Sequence, residues 1–557
     1  MFVRVTKNSK GLQYLRIVRN YRKDGKVKQH VLFTLGRLDA LQATGELDRL
    51  VESLSRFALK TSLIDLTKDL SIKRIYYLGA VHFVQKLWER IGLKKVLAKI
   101  EASYPNQTIP LSTLTQTMVS SRFIAPSSKR RIHTEIWDKI YPDLFPVKEI
   151  SLHWLYRTMD KLYDHRQEIE KTLFDRNGDR DLFNQELDLV FYDTTTLYFE
   201  SADSKKGTLR RFGYSKEHKV DCTQVVLGLL VDRDGIPVGY ELFPGNTYDG
   251  KTLGTILNKL KDQYQIKRLI FVADRGMLSS DNINLIKETG FEFIVGMRLW
   301  KLPKKEQETF YDLKKYLWMN RDKTLAMQDT KHGQDRLILT WSKDRSLRDA
   351  KVREDLLESI KSKLLKTSNT RRFVTNRGYR EFLKGLEEGK PRLNEQAIES
   401  SRRKDGFFGV LTNIPKEKMN SQEVYSNYKN LWRIEDAFGE IKGPLKTRPM
   451  FHWTDKRIHA HVLICLLAYY IEATITKTLR DKKCSFSAPE LFRALNEVYA
   501  VPVKVRGVVA WIRNELEGTA FEGYKTLGIK PPERMLKIEK EGVVTQTSDQ
   551  KIGTNSN

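Results

Sequence analysis

From residue 187 the chain reads as strands. LDLVFYDTT (187–195), TQVVLGLLVD (223–232), IPVGYELF (236–243), RLIFVAD (268–274) and FEFIVGMR (291–298) are short runs rich in β-branched and aromatic residues. DGKTLGTILNKLKDQY, between the third and fourth, has helical spacing and starts near Asp249. The order is three strands, a helix, a strand, a helix and a strand, which predicts an α/β fold. Asp232-Arg233-Asp234-Gly235 is a turn signal between the second and third strands, so the first three form an antiparallel meander.

Two carboxylates punctuate these strands. Asp193 follows LVFY at the end of the first, and Asp274 follows LIFVA at the end of the fourth. An acid at the C-terminal end of a buried strand points into the crevice above a sheet, where ligands of α/β folds gather. If the two strands are neighbours, the acids face each other and repel unless a cation lies between them. Taken singly, DTTT and DRG also suit a turn or a helix cap.

A third carboxylate lies in YKNLWRIEDAFGEIK (428–442). In a continuous helix over 421–442 a seven-residue step returns to nearly the same face, so Tyr428, Glu435 and Lys442 share a stripe with Val424, Leu431, Trp432 and Phe438. Glu435 interrupts an apolar seam. On its own it reads as an edge residue paired with Arg433 or Lys442. An all-carboxylate set with no His or Cys points to Mg2+ or Mn2+ rather than zinc. Such a set can hold two ions about 4 Å apart for phosphodiester chemistry.

The charge balance indicates the substrate class. Lys and Arg number 98 against 70 Asp and Glu, a formal net charge of +28. The excess is spread through the chain, as in SKRRIH (128–133), KKGTLRR (205–211) and SRRKDG (401–406), which implies folded basic surfaces and a polyanionic partner. Cys222, Cys465 and Cys484 form no CxxC pair, so neither a disulfide framework nor a zinc site is indicated and a reducing cytosol fits. The N-terminus carries no apolar signal region, and VLICLLAYYI (462–471) is too short to span a bilayer. These features predict a cytoplasmic protein with no membrane partner.

Here the motifs converge on a family. VFYDTTTLYFES, GYSKEHKVDCTQVVLGLLVDRDGIPVGYELFPGNTYDGKTL, FVADRGM and YKNLWRIEDAFGEIK, covering most of 187–300 and 407–475, resemble the DDE transposases of bacterial insertion sequences, in the branch with a Tyr-Arg-Glu-Lys signature. The resemblance implies an RNase H-like catalytic core, a mixed five-stranded sheet with helices, interrupted by an insertion domain and preceded by β and helical modules. The corresponding boundaries are a small antiparallel β module (1–45), a helical DNA-binding region (46–185), the first part of the core (186–298), the insertion (299–406), the second part with the catalytic helix (407–480), and a C-terminal helical region with a disordered tail (481–557).

By the same resemblance Asp193, Asp274 and Glu435 are the catalytic, metal-binding triad, holding two Mg2+ or Mn2+ ions, and Tyr428 and Lys442 contact DNA phosphates. The family places Arg three residues after the Tyr, where this chain has Leu431. Arg433 lies two residues further on, roughly 200° around the helix, and Arg275 beside Asp274 is an alternative source of charge. Lys216 and His218 in YSKEHK match the family stretch and would line the site, although loop residues also read as solvated. Trp318 or Trp341 would stack on an extruded base, although each also reads as a core residue. His459 and His461, two apart on a helix, make a poor metal pair. The implied function is binding of inverted-repeat ends, Mg-dependent strand cleavage and strand transfer into target DNA, by a homodimer in a synaptic complex on the bacterial nucleoid. The alternatives are an RNase H-like nuclease without strand transfer and a DNA-binding protein derived from such an enzyme.

Overall fold

The computed structural model describes residues 1–23, 26–55, 57, 71–72, 74–105, 109–176, 186–200, 207–213, 221–264, 266, 268–277, 279–366, 377–385, 391–505 and 508–540. It divides into two compact units. One comprises Met1–Ile75, Ala500–Asn514 and Glu533–Asn557, the other Tyr76–Tyr499 and Glu515–Pro532.

In the first unit, Phe2–Lys7, Gln13–Lys23 and Lys26–Arg37 form an antiparallel sheet with alternating β-formers and basic residues. Asp24 and Gly25, read as a turn, lie outside the described residues. A second sheet pairs Val508–Arg513 with Met535–Lys540 and with residues 500–505. The segment after 481, expected to be helical, therefore contains strands as well as the helices Ala488–Asn496 and Gly518–Thr526. YAVPVKV and VVAWIR are β-branched runs, and long-range pairing rather than local alternation makes them strands. The tail from 541 lies outside the described residues.

The second unit is built on a nine-stranded mixed sheet. Its strands, numbered within this sheet, are β1 (Glu186–Tyr198), β2 (Gln224–Asp232), β3 (Pro237–Pro244), β4 (Arg268–Ala273), β5 (Glu292–Met297), β6 (Leu317–Trp318), β7 (Leu325–His332), β8 (Asp335–Ser342) and β9 (Phe407–Thr412). They lie in the order β6-β7-β8-β9-β5-β4-β1-β2-β3. The first three are the antiparallel meander, β4 runs parallel to both β1 and β5, and β9 returns antiparallel to β5. Five strands were expected, and nine are present among the described residues. β9 leaves its outer edge open, and the β7–β8 hairpin from within 299–406 pairs with it, satisfying backbone groups that an edge strand would leave exposed.

Side-chain alternation sends odd residues of β1 to one face and even residues to the other. Val190, Tyr192, Phe271 and Ala273 join a core with the helices α3 (Leu253–Asn258) and α4 (Ser280–Glu288), counting α1 as Leu111–Ile124 and α2 as Leu152–Asp164. Phe191, Leu197, Val272 and Ile294 join the opposite core. The chain continues through α5 (Lys343–Lys366), α6 (Ser421–Lys429), α7 (Trp432–Lys442) and α8 (Asp455–Asp481). α7 and α8 contribute to the core on the Phe191 side. α7 buries Ile434, Ala437, Phe438 and Ile441, the i, i+3, i+4, i+7 stripe of an amphipathic helix, against β1 and β2. Burying each of the two isoleucines contributes about 2 kcal/mol. α8 is long and apolar enough to cross a membrane, but 94% of its apolar window is buried, packed against α1, α2 and β3.

The helix expected over 421–442 is two helices. Asn420 and Glu423 form a capping box that starts α6. At its end Leu431 N–H donates to Tyr428 O, Arg433 to Asn430 O and Ile434 to Leu431 O, all spaced by three residues. That tighter turn interrupts the α-helical ladder at Asn430–Leu431, so Tyr428 and Glu435 are not on one continuous face.

Candidate active site

Strand register brings the two aspartates together. Tyr192 of β1 pairs with Ala273 of β4 in parallel, so Asp193 and Asp274 are the next residues on adjacent chains, about one strand spacing (~4.8 Å) apart. Both fall on the face that α7 covers, because Phe191 and Val272, two residues earlier on each strand, are in that core. The reason Asp193 is available differs from the expectation. β1 does not end there but continues to Tyr198 in register with β2, carried by the β-branched run Thr194-Thr195-Thr196. It is β4 that stops, at Ala273, and the crevice opens beside a strand that runs on.

Asp274 accepts a hydrogen bond from the Tyr428 hydroxyl at 3.1 Å. Burial first, and the Asp274 carboxylate next, raise the Tyr428 phenol far above its ordinary value, while Arg275 and Arg345 act in the opposite sense. The phenol therefore stays a donor. Its approach depends on Gly296 of β5, where a Cβ would clash with the Tyr428 hydroxyl and lie 2.8 Å from Cζ. Asp193 Oδ1 accepts from the Thr194 amide at 2.7 Å. Thr194 points to the opposite face and donates to Asp249 Oδ1 at 2.6 Å. Tyr192 donates to Thr252 Oγ1 at 2.7 Å, which in turn donates to Asp249 O and fixes that turn from below.

Glu435 is exposed in the first turn of α7, next to the buried Ile434. Among the described residues no three His, Cys, Asp or Glu side chains are gathered closely enough to hold a metal ion. Asp193 and Asp274 are thus brought together, whereas Glu435 is delivered on a helix packed over the same strand. Lys442 closes the last turn of α7.

Arg433 does not join the aspartates. It lies over the Trp432 ring at 5.0 Å and lines a cavity of about 450 Å³ with Asp234, Asp436, Glu440 and Glu472. Arg275 sits beside Asp274 with its guanidinium 5.4 Å from the centroid of Trp300, which is 52% exposed. Arg345, from α5, stacks over Phe408 at 4.5 Å and acts on the Tyr428 hydroxyl. Arg275, Trp300, Arg345 and Phe408 line a cavity of about 340 Å³. Nothing local in the sequence marks Arg345 or Trp300, since β5, α5 and β9 come together only through the tertiary fold. Asp249 was equally hidden, as a helix start. Lys216 and His218 lie outside the described residues.

Trp341 is partly buried and donates to Asp405 O at 3.1 Å. Trp318 is 40% exposed and meets it edge to face at 5.7 Å. His459 contacts Arg166 and His461 contacts Lys129, so the two imidazoles diverge as their spacing required.

The family described as Transposase DDE domain matches residues 184–471, and that described as IS1634 family transposase, N-terminal domain, matches residues 2–62. None of the curated proteins matches the chain. A solved structure, the cryo-EM structure of a piggyBac transposase synaptic complex with hairpin DNA, is similar over 75% of this chain and 80% of that chain, at 11% identity and a TM-score of 0.36.

Proposed function

The chain belongs to the DDE transposase family and is an insertion-sequence transposase, and on that premise we propose that Asp193, Asp274 and Glu435 are its catalytic carboxylates, cutting DNA at the inverted-repeat ends and joining the freed 3′ end to target DNA. The observation that carries this reading is the β1–β4 register, which sets Asp193 beside Asp274 under the helix that bears Glu435. Carboxylate oxygens without His or Cys suit Mg2+ or Mn2+, and ions held by these three residues would activate the attacking water or hydroxyl and stabilise the leaving oxygen.

The chain's own groups supply the rest. Tyr428 holds the Asp274 carboxylate through its hydroxyl. Arg275 and Arg345 provide positive charge on that side, standing in for the signature Arg that Leu431 replaces, and Lys442 meets a phosphate further along. Arg433, among carboxylates, takes no part. Residues 299–406 serve as the insertion, the β and helical N-terminal modules recognise the ends, and two copies hold a pair of ends in the synapse.

Asp193→Ala, Asp274→Ala and Glu435→Gln should each lower cleavage of end-bearing DNA in Mg2+ on the order of a thousandfold, equivalent to about 4 kcal/mol in the barrier, with end binding retained. Undiminished cutting by any of them removes that residue from the triad. A strand-transfer assay with pre-cut ends separates transposition from nuclease action alone, because a nuclease yields no joined product.

A further inference from the structure

The loop of residues 443–454 links α7 to α8, and Met450 within it bridges to Phe199, which continues β1 beyond Asp193. Against this loop lies a cavity of about 200 Å³ lined by Arg122, Lys129, Lys446, Arg448, His452 and His461. Among the described residues its lining contains no carboxylate, and Tyr156 and the two serines Ser127 and Ser128 supply most of the remaining polar groups. Asp160, an acid of α2, is taken up by Nε and Nη2 of Arg457 at 2.9 and 3.0 Å.

Two of the cations are almost fully buried, Lys129 at 2% and Arg122 at 4% exposure. Arg122 is under-bonded. Its terminal nitrogens reach the carbonyls of Ser127, Leu445 and Lys446 only at 3.4 Å, and its buried Nε has no partner among the described residues. His461 donates from Nε2 to Thr447 O at 3.0 Å, which leaves Nδ1 as the acceptor for Lys129 Nζ at 3.1 Å. That contact uses one of three ammonium donors. Burying such charges without a counter-charge is costly, and structures that retain them normally supply an anion. The groups bear the strain together. Burial, then Arg122, lowers Lys129 to about 7, and burial, then Lys129 and Arg122, holds His452 and His461 well below the usual imidazole range.

We propose that this pocket binds a phosphate group through Arg122 and Lys129 and that, resting on the transposase reading, the phosphate belongs to the backbone of bound DNA. Six residues of strand separate Phe199 from Asp193, about 20 Å. The phosphate held here is therefore not the one being cut but one farther along the strand, and it fixes the position of the DNA relative to the carboxylates.

The test uses the full chain in two arms. In the first, the melting temperature is followed in inorganic phosphate and in chloride of matched ionic strength. Wild type should be stabilised by phosphate specifically. Lys129→Met should be as stable as wild type, or more so, without phosphate, and should lose the phosphate response. A purely structural lysine would instead lower the melting temperature on removal. Arg122→Gln is the second variant. In the second arm, binding to a short blunt duplex of arbitrary sequence is measured against salt. Loss of one phosphate contact lowers the slope of log K on log salt by about 0.9 and weakens binding about tenfold at 0.1 M salt.

Both changes together support the proposal. A lost phosphate response with an unchanged DNA slope assigns the pocket to free phosphate and overturns the DNA clause. No phosphate-specific stabilisation of wild type, or an equal one in both variants, overturns the pocket. Failure of the triad variants to lose cleavage leaves the first arm untouched, so the two readings fail separately.

Discussion

The contact between Tyr428 and Asp274 depends on an absent side chain. Gly296 presents bare backbone under the phenol, and a methyl there occupies the space of its hydroxyl. Gly296→Ala should therefore cut cleavage at least tenfold while changing the urea midpoint little, and activity equal to wild type would show that the Tyr428 contact is dispensable. A second residue makes a pH prediction. Glu472 of α8 is 6% exposed, and burial, then Glu440 and Asp436, raise its carboxyl from about 4.5 to about 8. The folded state keeps a proton that the unfolded chain releases, so this group's penalty is absent below about pH 4.5, grows as pH rises, and is complete above about pH 8. The full cost is on the order of 5 kcal/mol. Glu472→Gln should match wild type at pH 4 and unfold at higher urea at pH 9; equal midpoints at pH 9 would count against the buried acid. Asp193 and Asp274 were legible because an acid after a run of β-formers is unusual in a buried strand. Arg345 and Trp300 were not, since what matters about them is proximity to residues far away in the chain.

At the scale of elements, α7 positions Glu435 only as firmly as its apolar stripe holds it to the sheet. Ile441 is fully buried two turns away, whereas a methyl added at Gly439, on the open side, would have nothing within 4 Å. Ile441→Ala should cost about 2–5 kcal/mol by leaving a cavity, whereas Gly439→Ala should add roughly 0.5–1 kcal/mol through helix propensity. Thermal unfolding distinguishes them, and a destabilising Gly439→Ala would mean that this face of α7 is covered. The strands β1 to β5 were readable because each is a self-contained run with its own turn signals. The break at Asn430–Leu431 was not, because both residues keep right-handed helical dihedrals and only the hydrogen-bond spacing changes. Nor was the extension of the sheet, because β9 finds β5 and β8 across long stretches of chain and nothing in FFGVLT names its partners.

For the molecule as a whole, the +28 charge and the clustered carboxylates pull in opposite directions on DNA. A duplex neutralised at six or more phosphates should lose at least about a thousandfold in affinity between 50 and 200 mM salt. Asp193 and Asp274 oppose that attraction as long as no cation screens them, because a backbone phosphate brought into the crevice meets two like charges. In chelator, Asp274→Ala should therefore bind a duplex at least as tightly as wild type, with the same salt slope. Mg2+ should then strengthen binding by wild type but not by the variant, since the gain comes from charge neutralised at the carboxylates. Anisotropy titrations in chelator and in Mg2+ measure both effects. If Asp274→Ala bound severalfold more weakly in chelator, the carboxylate would be organising the fold of the site rather than waiting for a cation, and the register of β1 and β4 would no longer argue for metal-dependent chemistry.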